Sequence, residues 1–142
     1  MDSTFVVGID VGGQTSKLGV VDARGAVLAQ TVIRTDTYSE VEPYIAELAE
    51  AVKKIIRESG TEGKVRGIGV GAPNGNYYTG TIENAPNLLW GRQKVEFAKL
   101  LSEAMDGLPV ALTNDANAAA VGEMTYGAAR GMKNFIMITL GT

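Results

Sequence analysis

Three apolar runs open the chain, and each ends in residues that favour a turn. Phe5-Val6-Val7-Gly8-Ile9 leads into Asp10-Val11-Gly12-Gly13-Gln14-Thr15-Ser16-Lys17, and Leu18-Gly19-Val20-Val21 resumes the apolar character at once. Asp22-Ala23-Arg24-Gly25 places aspartate first and glycine fourth, as a type I turn prefers, and Ala26 to Ile33 forms the third run. Short turns between consecutive strands predict an antiparallel meander. The periodicity then changes. Val41, Ile45, Leu48, Val52, Ile55 and Ile56 recur at helical intervals until Ser59-Gly60, and Ser39 and Glu42 have the spacing of a capping box. Glu40, Glu47, Lys53, Lys54 and Glu58 are expected to face water, and core packing accounts for the apolar stripe.

From Val65 to Ala72, glycine alternates with Ile68, Val70 and Ala72, so one strand face is bare backbone. Such glycines weaken a strand, which points to close approach of another element or a ligand to that face. Pro73-Asn74-Gly75-Asn76 reads as a turn, Tyr77 to Ile82 as a small surface hairpin, and Glu83 to Gly91 as a loop with polar amides beside the only tryptophan. A helix is expected from Val95 to Met105 with Phe97, Leu100, Leu101 and Ala104 inward. Val110 to Thr113 reads as a short buried strand delivering the chain to Asn114-Asp115-Ala116-Asn117 and an alanine-rich helix ending near Gly127. Asn134 to Leu140 is apolar on both faces, as in a central strand.

Composition narrows the chemistry. With 142 residues and 45% hydrophobic content the chain has the size and makeup of one ordinary domain. A net charge of −3 without a lysine or arginine cluster leaves no footprint for nucleic acid or anionic lipid. The absence of cysteine removes disulfides, zinc thiolates and thiol chemistry, and the absence of histidine leaves oxygen ligands, which suit a hard cation such as magnesium. No signal-peptide pattern and no apolar run near the ~20 residues of a membrane span occur, so a cytoplasmic location is expected. Eighteen glycines, against a usual ~7% of residues, imply positional roles.

The candidate chemistry centres on the first turn. A carboxylate, two glycines, amide and hydroxyl side chains and a lysine meet there, a combination suited to an anion. Because a strand follows the glycines, the loop is neither a Walker loop nor a dinucleotide fingerprint, both of which open a helix. An ordinary turn with glycine at positive φ accounts for Asp-x-Gly-Gly equally well. Likewise, Pro and Asn in the 83–91 loop make turns, and Asn114-Asp115 is a good helix cap.

The order of these features is informative. A meander with Asp-x-Gly-Gly in its first tip, a helix, a glycine-rich strand, Ala85-Pro86-Asn87-Leu88, Asn114-Asp115-Ala116-Asn117-Ala118-Ala119-Ala120 before Gly122-Glu123, and Leu140-Gly141-Thr142 resembles the N-terminal portion of a ROK-family sugar kinase (repressor, open reading frame, kinase). That group sits within the actin, hexokinase and chaperone ATPase superfamily. The resemblance implies an α/β, ribonuclease-H-like (actin-like ATPase) fold: a mixed five-stranded sheet, its first three strands antiparallel, with helices on its faces. Residues 1–133 would form the N-terminal lobe, and 134–142 the first strand and truncated start of a second. A piece of this kind is expected to fold as one lobe without kinase activity alone.

The implied reaction is transfer of the ATP γ-phosphoryl group to a hexose hydroxyl, commonly that on C6 of glucose or a related sugar. Asp115 would be the catalytic base, with Asn87, Asn114, Asp115 and Gly75 binding the sugar. Asp10, Gly12, Gly13, Gln14, Thr15 and Lys17 would form the first phosphate loop, Gly141 and Thr142 would begin the second, and Asp10 would hold magnesium through water. Two departures stand out. Gln14 replaces the usual threonine after Gly-Gly, and the usual Pro-Gly turn appears as Pro73-Asn74-Gly75. The resemblance also implies a homodimer or higher homo-oligomer, with no nucleic-acid or membrane partner. The alternative is a sugar-responsive regulator of the same family without kinase activity, which would carry a DNA-binding helix-turn-helix ahead of a first strand that here starts by Thr4. A second alternative, an actin-like or chaperone-type ATPase, has no need of Asn87 and Asn114-Asp115 as a sugar constellation.

Overall fold

The computed structural model describes residues 5–22, 26–76, 78–86 and 88–113. The expected meander is present: β1 (Phe5–Val11), β2 (Thr15–Asp22) and β3 (Val27–Arg34) are consecutive antiparallel neighbours. Helix α1 (Val41–Ser59) then crosses to β4 (Val65–Gly71), which lies parallel to β1. A two-residue pair, β5 (Gly75–Asn76) and β6 (Thr81–Ile82), precedes α2 (Phe97–Ala104) and β7 (Val110–Thr113), and β7 runs parallel to β4. The sheet is therefore five-stranded and mixed, in the order β3-β2-β1-β4-β7.

Register explains why the strands tolerate so much glycine. Val7 faces Val20 and Ile9 faces Leu18 across β1 and β2, and these side chains join Ile68, Val70 and Leu112 with the buried faces of α1 and α2 in one core. The opposite face, by the period-2 alternation of strands, carries Gly8 opposite both Gly19 and Gly69, with Asp10 opposite both Lys17 and Gly71. These glycines are buried, as the bare face of β4 required.

Local differences from the sequence reading have local causes. Helix α1 begins after Glu40, which makes no side-chain cap bond, so the Ser39–Glu42 capping box does not form. Its C-terminus ends as expected, with Gly60 left-handed at φ 72° and the Gly60 and Thr61 N–H groups donating to Arg57 and Ile56 carbonyls. Glu47 is half-buried instead of facing water, because it accepts the Tyr38 hydroxyl, and this bond together with burial raises the Tyr38 phenol pKa. The surface hairpin starts two residues early, at Gly75. Helix α2 starts two residues late because Val95 pairs with Ile82 through two main-chain bonds of 2.8 and 2.9 Å. No described helix is long and apolar enough to cross a membrane. The helix expected from Asn114 and the strand expected from Asn134 lie outside the described residues.

Candidate active site

The glycine tip is built by close approach. The Gly12 N–H donates to the Thr15 carbonyl at 2.9 Å, and a Cβ on Gly12 would lie 2.8 Å from that same oxygen. Gly12 has no positive φ, so space, and not the left-handed backbone of an ordinary turn, demands glycine here. The Thr35 N–H donates to the Gln14 carbonyl at 2.9 Å, which ties the tip to the chain leaving β3.

Side chains around the tip divide between two faces. Asp10 and Lys17 pair across the strands on the glycine face. Partial burial raises the Asp10 carboxyl pKa, and the Lys17 cation opposes that rise. Ser16 points the other way, into the core, where its hydroxyl meets Thr35 Oγ1 at 2.5 Å and the Tyr44 hydroxyl at 2.6 Å. All three residues are buried. Sequence reading grouped Ser16 with the polar tip; the alternation of β2, paired with Val11, could have shown that it turns inward.

Parallel register gathers the ends of three strands. Asp10 pairs with Gly71 and Gly71 with Thr113, so β1, β4 and β7 end in one row with neighbouring strands ~4.8 Å apart. Ligands in open α/β sheets commonly bind beyond such carboxyl ends. Thr113 is followed directly by Asn114 and Asp115.

Beside the tip lies an open cleft of about 580 Å³ lined by Gly12, Gly13, Gln14, Thr15, Asp36 and Leu89. Leu89 brings the 83–91 loop to the glycine hairpin, two segments that sequence alone could not join. Asp36 was missed by sequence reading. Its two oxygens accept from Arg34 Nε and Nη2 at 2.9 and 2.7 Å, a bidentate pair that compensates its charge at the cleft wall.

The loop itself is held firmly. Trp90 is buried, stacking on Tyr44 with centroids 4.7 Å apart and on Phe97 at 5.8 Å. Ala85 N–H donates to the Gly91 carbonyl and Gly91 N–H to the Leu88 carbonyl. Asn74 takes the left-handed conformation at φ 58° immediately after Pro73, and its Nδ2 donates to the Glu83 and Asn84 carbonyls at 3.1 and 2.8 Å. The left-handed position after proline is thus Asn74, while Gly75 is half-buried and begins β5. Asn87, Asn114, Asp115, Gly141 and Thr142 lie outside the described residues.

The ROK family model matches residues 6–142. The chain belongs to the ROK family. It is 35% identical over 139 residues to a glucokinase of Streptomyces coelicolor, covering 97% of this chain and 41% of that protein. A crystal structure of a ROK hexokinase from Thermus thermophilus superposes with a TM-score of 0.67 at 37% identity, over 89% of this chain and 40% of that one. A ROK-family glucokinase from Streptomyces griseus, solved in complex with glucose and AMPPNP, superposes at 0.66 with 31% identity, over 87% and 37% of the two chains. A xylose repressor of Caldicellulosiruptor bescii is 27% identical over 142 residues, 99% of this chain and 35% of that protein. The chain spans about two fifths of the length of the glucokinase it matches. Its fold is accordingly the ribonuclease-H-like, actin-like type expected, and the family is one of sugar kinases with repressor members.

Proposed function

We propose that the full-length protein is an ATP-dependent hexose kinase, with residues 1–133 as its N-terminal lobe and 134–142 opening the second. The observation that carries this reading is the shared cleft: the glycine hairpin Gly12–Thr15 and the Leu89 end of the Asn87 loop line one cavity, beside the strand ends that lead to Asn114-Asp115. A phosphate donor and a sugar acceptor need such adjacency, because phosphoryl transfer depends chiefly on alignment and charge neutralisation.

In this reading Asp115 accepts the proton of the sugar hydroxyl while its oxygen bonds to the γ-phosphorus and the bond to the ADP oxygen breaks. Asn87 and Asn114 orient the ring, since each side chain both donates and accepts. Gly75 approaches the sugar. Main-chain N–H groups of Gly13 and Gln14, with Thr15 and Lys17, hold the phosphates, while Gly12 shapes the tip through its bond to the Thr15 carbonyl, and the Gln14 amide serves where relatives of this type place a threonine hydroxyl. Gly141 and Thr142 begin the opposing phosphate loop.

Asp10 fits magnesium held through water. It is a partly buried carboxylate whose charge Lys17 offsets incompletely, and the described residues contain no cluster of three or more acidic or histidine side chains that would form a protein cage. Hydrated magnesium commonly uses one or two carboxylates and the substrate phosphates, and it neutralises phosphate charge when bound. A cytoplasmic homodimer or higher homo-oligomer completes the reading.

ATP consumption by the full-length protein over glucose, N-acetylmannosamine, N-acetylglucosamine, fructose and allose is the test. Hexose-dependent ADP release supports it. The repressor relative motivates one competing reading, a sugar-responsive regulator, and hexose binding without ADP release would favour that reading.

A further inference from the structure

We propose that Tyr44 couples the two sides of the cleft, so that sugar binding at the 83–91 loop and nucleotide binding at the glycine hairpin strengthen each other. The inference rests on the kinase reading above. Tyr44 lies in the first turns of α1, outside the cleft lining, and is completely buried. Its hydroxyl reaches Ser16 at 2.6 Å, one residue beyond Thr15 of the hairpin. Ser16 also contacts Thr35 at 2.5 Å, and the Thr35 N–H holds the Gln14 carbonyl. A path of hydrogen bonds thus runs from Tyr44 to both flanks of the phosphate tip. The opposite side of the same residue meets the sugar loop: the Tyr44 ring stacks on Trp90 at 4.7 Å with an interplanar angle of 23°. Trp90 is next to Leu89, the residue through which that loop lines the cleft.

Packing alone does not require this residue type. Phenylalanine would fill the ring's volume, and a buried hydroxyl is costly unless bonded. Here the hydroxyl is bonded to Ser16 beside the hairpin tip, so a shift of Trp90 when sugar fills the cleft moves the ring and changes how Ser16 is held. Burial raises the Tyr44 phenol far above its ordinary pKa, so the hydroxyl keeps its proton throughout the working range. Coupling of this kind is reciprocal: each ligand changes the affinity of the other by one factor.

The experiment is calorimetry on the full-length protein, using AMPPNP with magnesium and the hexose turned over fastest in the panel above. Each ligand is titrated with and without saturating partner. In the wild type, each should tighten the other by the same factor, within the roughly 5–150-fold typical of coupled sites. Tyr44→Phe, which keeps the stacked ring, should bring that factor close to one while leaving each ligand's affinity alone within about threefold. Ser16→Ala, which removes the same bond from its other end, should do likewise and covers the case in which the tyrosine variant folds poorly. A purely structural role would instead lower thermal stability and leave the factor intact. Unchanged coupling in both variants, or no coupling in a wild type that binds both ligands, overturns the role of Tyr44 alone. A wild type that turns over no hexose in the panel overturns the kinase reading and the coupling with it.

Discussion

At Asp10 the protein gives up stability for charge. A carboxyl whose folded pKa is raised holds its proton more tightly folded than unfolded. Between the ordinary value of 3.8 and the raised one, the folded state therefore binds more protons, and stability falls as pH rises through that window. Above it the ionised group remains a net cost. Asp10→Asn in the full-length protein should consequently be as stable as wild type or more so at pH 7, with a flatter stability–pH curve, and should bind magnesium–ATP more weakly. Thermal unfolding from pH 4 to 7, with and without the nucleotide, checks both; a clear loss of stability at pH 7 without ligand would show that Asp10 is structural. Gly12 tests the neighbouring contact. Since a Cβ would lie 2.8 Å from the Thr15 carbonyl oxygen, Gly12→Ala must open the tip, and nucleotide affinity should fall while hexose affinity holds.

Elements explain which parts of this arrangement a sequence can disclose. The meander was legible because turn residues separate its apolar runs, and α1 and the glycine strand because each rests on a local period: Val41 to Ile56 in the helix, and Gly67, Gly69 and Gly71 in β4. The capping box was not, because Ser39 and Glu42 satisfy a spacing that the backbone at Glu40 does not use. Contacts between elements were also hidden. Nothing in the residues near Trp90 announces that its ring packs on both Tyr44 and Phe97, and nothing near Arg34 places Asp36 on the cleft wall. The Trp90 stack makes the 83–91 loop part of the core, so Trp90→Ala should cost ~3–5 kcal/mol, the usual range for a buried aromatic, and should release the loop. Chemical denaturation measures the first effect. Hexose affinity measures the second and should drop more than nucleotide affinity does.

On the scale of the whole molecule, strand ends, glycine tip and loop come together. The sheet brings Asp10, Gly71 and Thr113 into one row, and the cleft sets a glycine hairpin against an anchored loop, while the chain spans only about two fifths of its glucokinase relative. Family membership was legible from the order of short motifs along the chain, although each motif alone also suits a plain turn or cap. The sugar was not, because in the proposed enzyme hydroxyl discrimination depends on side-chain positions that no motif spacing specifies. In the proposed enzyme, closure of a second lobe would exclude water, a competing acceptor. The most direct test is phosphoryl transfer from ATP to hexose by the full-length protein, wild type beside Asp115→Asn. Both proteins should bind hexose, and turnover should fall about 10²–10⁴-fold in the variant, as removal of a general base usually causes. Turnover near the wild-type rate would contradict that role for Asp115.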